Sequence, residues 1–261
     1  MRASLLALAA LSFMGCKEPI EAPDDLNELS AFIFVEWDNE DPEALVAGVT
    51  GVEAWAADQP ADSSTWGDRF YSIDALTQAQ VDGEALVTHD LDPADAPGVG
   101  LLYVSAFPPS THATIFGETD QTPFEPASPD FYARTITDGD AGAFAAGTET
   151  TLASHNEINR KNFLFNLDYE LEKVWRWVEL EDGRKAIVSR SWSEESGPPN
   201  DDKQLLQAYA IEMWIEQSGG ALRWLITWQD AELGLDQDAI ESLVGGSMND
   251  TFEAQEEHFE G

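Results

Sequence analysis

The sequence predicts an α+β protein in which a curved antiparallel sheet packs on a C-terminal helix, and three observations carry that expectation. From residue 131 onward, runs of strand length alternate in character: Phe163, Phe165, Leu167, Tyr169 and Leu171 stand at odd positions, with mostly Asn, Asp and Glu between them. Between the runs stand "TDGDAG", "EDGR" and "QSGG", the Asp-Gly and Gly-Gly signals of tight hairpins. In the closing segment Ile240, Val244, Met248, Phe252 and Phe259 fall near one helical stripe.

The chain begins with Arg2, the apolar run "LLALAALSF" and the small-residue site "FMGC", which ends in Cys16. That run is too short to span a bilayer as a permanent helix. It resembles the lipobox of bacterial lipoproteins, although Phe13 and Met14 depart from the commonest Leu-rich form. The resemblance implies lipidation of Cys16 as the mature N-terminus, with a membrane as partner through several acyl chains. It also implies a place in the bacterial cell envelope. Lys17 is not the aspartate associated with inner-membrane retention, which favours the outer membrane. Cys16 is the only cysteine, so disulfides, thiolate metal sites and cysteine catalysis are excluded from the folded body. Residues 17–30, rich in proline and acids, read as a tether, and 31–261 as one α+β domain with a candidate sub-boundary at 108–130.

Thirteen Lys and Arg against 50 Asp and Glu give a formal charge of -37, spread along the whole length. Nucleic acid and anionic membrane surfaces both require a basic footprint and are excluded as partners. "DNEDPE", "DLDPAD" and "TDGDAG" lack the ligand spacing of a calcium loop, so the acids read as a solvated surface and no metal is expected.

Taken in order, "AFIFVEW" (31–37) reads as a strand. Asp41 and Pro42 then open a helix over 42–57, with Leu45, Val49, Val52 and Trp55 at helical spacing. A short strand at 69–73, a short helix from Asp74 to near Gly83 and a buried strand in "GVGLLYVSAF" follow. The five-proline stretch 108–130 is irregular. Strands are expected in "FYARTI", "GAFAAGTETTL", the stretch 163–177 with a bend or bulge near Glu172 and Lys173, "RKAIVSRSW", "LLQAYAIEMWIEQ" and "ALRWLITWQD". Gly245 and Gly246 in the last helix mark either a close approach to the sheet or a break.

A two-residue loop at Asp182 and Gly183 pairs Trp177 with Val188 and Trp175 with Arg190. A loop at Gly219 and Gly220 pairs Ile215 with Trp224, Met213 with Ile226 and Ile211 with Trp228, and sets Glu216 across from Arg223 on a wet face. These registers build one aromatic face, on which Trp175, Trp177, Arg190, Tyr209, Met213 and Trp228 are the candidate ligand-binding residues. Arg190 on such a face needs a partner: Asp230, a ring such as Trp175, or a ligand's anionic head. In order, "VWRWVELEDGRKAIVSRSW", "LLQAYAIEMWIEQSGGALRWLITWQDAELG" and the terminal helix resemble the C-terminal half of START-like (SRPBCC) helix-grip proteins. That resemblance implies a lipid or other apolar small molecule held between sheet and helix. The competing reading is a structural, adhesive or glycan-binding surface protein with a closed core.

No catalytic motif is present. His89, His112, His155 and His258 are isolated, "GGSMN" is not a nucleophile elbow, "GVGLLY" lacks the last glycine of a dinucleotide loop, and the Glu194–Glu195 pair is ordinary in so acidic a chain. The expectation is a binding protein without cofactor; His155 and Arg190 are the residues to test for chemistry.

Overall fold

A computed structural model describes residues 20–82, 91–193 and 195–261. The signal segment with Cys16, the start of the tether, His89 and Glu194 lie outside the described residues. Two helices come first. The Asp25 carboxylate accepts from the backbone N–H groups of Asn27 (2.9 Å) and Glu28 (3.1 Å) and so opens α1 (Leu26–Glu36). This corrects the strand expected at 31–37: Leu29, Ser30, Ile33 and Phe34 are buried at helical, not alternating, spacing. It also takes residues 26–30 out of the tether. Helix α2 (Pro42–Ala56) follows, with Asp41 as its N-cap, as expected.

The remaining elements are β1 (Phe70–Ile73), α3 (Gln78–Asp82), β2 (Gly98–Ser105), α4 (Pro109–His112), β3 (Phe131–Asp138), α5 (Ala141–Ala145), β4 (Thr151–Lys161), β5 (Asn166–Glu179), β6 (Lys185–Trp192), β7 (Gln204–Gln217), β8 (Gly220–Glu232) and α6 (Gln237–Glu260). The eight strands form one antiparallel sheet in the order β1-β2-β8-β7-β6-β5-β4-β3. Together with α6 this is the α+β arrangement expected, an antiparallel sheet holding a C-terminal helix. The irregular stretch 108–130, which contains α4 and two 3-10 turns, carries the chain from β2 at one side of the sheet to the opposite edge at β3.

Two local expectations are corrected. In 142–152 the chain first makes α5, because the Asp140 carboxylate caps it by accepting from the Ala143 N–H (2.8 Å), and the strand begins only at Thr151. Strand β5 has no bulge at Glu172 and Lys173: its pairing with β4 runs without a register shift from Thr151↔Arg176 to Lys161↔Asn166.

The hairpin registers decide which side chains share a face. Between β5 and β6 the loop is Glu181-Asp182-Gly183, three residues long, closed by the Gly183 N–H on the Leu180 carbonyl (2.9 Å) and with Gly183 at φ 83°. One extra loop residue shifts the pairing by one, so Trp177 meets Ile187, Trp175 meets Ser189, and Arg190 meets Val174. A shift of one sends a side chain to the other side of the sheet. Between β7 and β8 the loop is Ser218-Gly219, a shift of two: Ile215 meets Leu222, Met213 meets Trp224, Ile211 meets Ile226 and Tyr209 meets Trp228. Parity survives there, but Glu216 faces Ala221, and Arg223 faces Trp214.

Both faces of the sheet are therefore covered. On one, Val188, Tyr209, Ile211, Met213, Trp224 and Trp228 pack against Leu29, Ile33 and Phe34 of α1 and Leu45, Val49 and Val52 of α2. Gly98 and Gly100 in β2 leave room for the indoles of Trp228 and Trp224; a Cβ at either would come within 2.5 and 2.2 Å of them. The other face lies under α6. That helix runs through Gly245 and Gly246 without a break, and Gly245 is the close approach: a Cβ there would stand 2.5 Å from the Phe70 ring. Among the described residues no helix is long and apolar enough to cross a membrane.

Candidate functional site

Helix α6 is fastened most firmly along its C-terminal half. Arg69 donates to the Asn249 side chain (2.9 Å), and the Glu256 carboxylate accepts from Ser105 Oγ and from the Ala106 N–H (3.0 Å). Beside that latch, His112 is fully buried, 2.8 Å from Ser105 Oγ, and burial first, then the Arg223 charge, push its pKa down to about 2. The N-terminal half of α6 spans open space instead. An outer chamber of about 340 Å³ lies between it and the β4–β5 hairpin, walled by Phe163, Phe165, Leu167, Leu233, Ile240 and Leu243. Phe163 at its rim is 91% exposed. That volume falls at the low end of the roughly 300–1,000 Å³ typical of ligand pockets.

Behind it, between α6 and the sheet, lies an inner chamber of about 120 Å³ with different chemistry: Glu125, Tyr132, Arg160, Tyr169, Lys173 and Glu212 all reach its wall. Arg160, Gln229, Val244 and Ser247 line both chambers, which therefore adjoin. Burial raises the phenol pKa values of Tyr132 and Tyr169, which keeps both as O–H donors at neutral pH. For Glu212 burial works upward as well, but Lys173 at 3.2 Å and Arg223 at 2.7 Å outweigh it and hold the carboxyl below the usual range.

Two indoles organise the cations behind this chamber. Arg134 (5.1 Å) and Lys173 (5.4 Å) both stand within cation–π range of the Trp175 ring, and Lys173 (5.9 Å) and Arg223 (5.5 Å) of the Trp214 ring. Arg223 also stands 3.9 Å over the Phe252 ring of α6. The negative ring faces offset part of the charge of these three groups.

The six residues expected to bind ligand do not come together. Trp175 and Trp177 lie on the α6 face, in a cluster with Phe116, Phe144 and Trp214 beside the chambers. Arg190, Met213 and Trp228 lie on the opposite face, against α1 and α2. Tyr209 reaches the inner chamber's wall, but its ring packs edge-on to Phe34 with centroids 6.0 Å apart. Arg190 pairs with Asp38 and donates to the Phe34 carbonyl (2.9 Å), neither with Asp230 nor with Trp175. His155 sits on the outer side of β4, 2.5 Å from Glu172, which raises its pKa. Sequence reasoning missed four chamber residues: Lys173 and Glu212 carry a signal, a charge inside a strand that also holds Trp and Tyr, whereas Glu125 in the irregular stretch and Arg160 in β4 carry none.

Among solved structures, a STAR-related lipid transfer protein from Xanthomonas axonopodis overlays with a TM-score of 0.45 and 10% identity, over 64% of this chain and 88% of that one. The human StAR-related lipid transfer protein 5 overlays with a TM-score of 0.41 and 10% identity, over 84% of this chain and 98% of that one. No family model matches the sequence, and no curated protein matches it. At such scores the overlays are likenesses of outline, and the functional reading rests on the chambers themselves.

Proposed function

We propose that this protein binds an apolar or amphipathic small molecule between its sheet and α6, in a body held at the outer membrane of a bacterial cell envelope by lipidated Cys16. One observation carries the binding reading: the two chambers adjoin across four shared wall residues, and they differ in polarity, apolar at the rim and hydrogen-bonding within. An elongated molecule with one polar end matches that gradient. The test is native mass spectrometry of the purified protein, before and after delipidation, with displacement of an apolar fluorescent dye as a second measurement. Co-purifying ligand, or saturable dye binding lost in Leu243→Trp, which fills the outer chamber, supports the reading. No ligand and no dye binding would return the protein to the closed-core alternative. The anchor is tested separately: Cys16→Ser releases the protein from the membrane fraction or leaves a precursor, and unchanged fractionation with no acyl label on the wild type refutes it.

A further inference from the structure

The inner chamber is unusual for its charge. Its walls set Arg160 and Lys173 against Glu125 and Glu212. One contact further out, Arg134 donates to Tyr132 Oη (3.2 Å) and Arg223 to Glu212 (2.7 Å). Around this space, then, stand four cations and two carboxylates, in a chain whose net charge is -37. Their pairing is incomplete. Lys173 and Arg223 share the single carboxylate of Glu212. Arg134 donates only to neutral acceptors, the Asn156 side chain (2.8 Å), the Phe116 carbonyl (3.2 Å) and Tyr132. Arg160 stands 3.8 Å from Glu125, too far for a hydrogen bond, while Glu125 accepts from Thr251 (3.0 Å). Buried and without a hydrogen-bond partner are Nε of Arg160, Nε and Nη1 of Arg223, and Oγ of Ser247 in the shared wall. Positive charge in excess, buried at Arg134 and Arg223 and part-buried at Arg160 and Lys173, is costly unless an anion meets it.

We propose that the molecule held here is a single-chain carboxylate amphiphile, with its carboxylate in the inner chamber facing Arg160 and Lys173 and its chain lying along the outer one. This rests on the cavity reading above and deepens it. A carboxylate fits the small inner volume, guanidinium and ammonium groups bind it through charge-assisted hydrogen bonds, and the Tyr132 and Tyr169 phenols stand in the same wall. The apolar wall from Phe165 to Leu243 then takes the hydrocarbon. The acid that lines the outer chamber, Asp250, has its own charge opposed by burial and by Glu253, which weakens its repulsion of an incoming anion.

The experiment titrates the delipidated full chain with decanoate, decanol, decyltrimethylammonium and decyl phosphate, read by native mass spectrometry and dye displacement. Decanoate should bind about tenfold or more tightly than decanol, with the ammonium weakest. Arg160→Gln should remove the preference for decanoate over decanol. Decanol binding as tightly as decanoate overturns the carboxylate head and leaves the cavity standing. Decyl phosphate binding more tightly than decanoate also overturns it, in favour of a phosphate. Failure of every probe to bind overturns the cavity reading itself. The wild-type comparison decides between these outcomes even where Arg160→Gln does not fold.

Discussion

The pair formed by Arg190 and Asp38 should respond unequally to loss of its two members. Arg190 is 1% exposed and Asp38 53%. Its guanidinium also donates to the Phe34 carbonyl (2.9 Å) and lies 5.2 Å from the Trp37 ring, 5.5 Å from Phe34 and 5.8 Å from Trp192. In Arg190→Met the carboxylate left behind is half in water and rehydrates. What is lost is the donor to a buried carbonyl, about 1–3 kcal/mol, and the cation–π contacts, partly replaced by the apolar packing of methionine. A net cost of about 1–2 kcal/mol follows. In Asp38→Ala the buried cation stays, unable to shed its proton. The full penalty for stranding a buried charge is about 3–5 kcal/mol, reduced here, because the Asp38 side of the pair is wet and Arg190 keeps its other contacts, to about 2–3 kcal/mol. The double variant should cost no more than Arg190→Met alone, since without the guanidinium Asp38 has nothing to neutralise. Urea unfolding of the four proteins gives this double-mutant cycle directly, provided the denaturant slope m is unchanged. An Asp38→Ala cost below about 0.5 kcal/mol, the range of ordinary surface pairs, or two single costs that simply add, would refute the reasoning.

Other expectations follow from the same structure. Glu212→Leu removes the one carboxylate shared by Lys173 and Arg223 and should cost about 3–5 kcal/mol in guanidinium unfolding, more than any change at Arg190; a smaller loss would mean that another anion already serves these cations. Gly246→Ala, with open space around its Cβ, should stabilise α6 by up to about 1 kcal/mol, whereas Gly245→Ala, 2.5 Å from Phe70, should lower the melting temperature. Equal effects at the two glycines would contradict the close approach. His112 stays neutral in the fold with its pKa at about 2, while the unfolded chain takes up its proton below about 6.5. Stability should therefore fall as the pH drops from 6.5, by about 1.4 kcal/mol per unit from this residue, and His112→Gln should show a correspondingly shallower acid slope; identical slopes would place the histidine in water.

Legibility in the sequence followed the locality of the signal. Asp41 and Pro42 announced α2 because cap and first turn are set by neighbours in the chain. "FIFVEW" reads equally as strand or helix until Asp25 is recognised as an N-cap, since a short apolar run has no decisive period. The β7–β8 face survived its misplaced loop because the error was two residues, and the β5–β6 face did not because the error was one. That single residue moved Arg190 away from Trp175 and Trp177. The chambers were hidden for another reason. Alternation reports which side of a strand is polar, and it cannot distinguish bulk water from a polar chamber roofed by a helix far along the chain. Glu212 and Arg223 belong to the second kind, and both are buried.

The placement of the basic residues has a consequence for how ionic strength acts on the protein. Arg69, Arg134, Arg190 and Arg223 are all buried, four of the thirteen basic residues in the chain. The exterior is left predominantly anionic, so its self-repulsion opposes compaction, over a screening distance of about 8 Å at physiological ionic strength. The Arg223–Glu212 pair lies out of reach of that ion atmosphere. Added salt therefore relaxes the shell without loosening what holds the core, and the fold should grow more resistant to heat as sodium chloride rises, the reverse of a protein stapled together by exposed ion pairs.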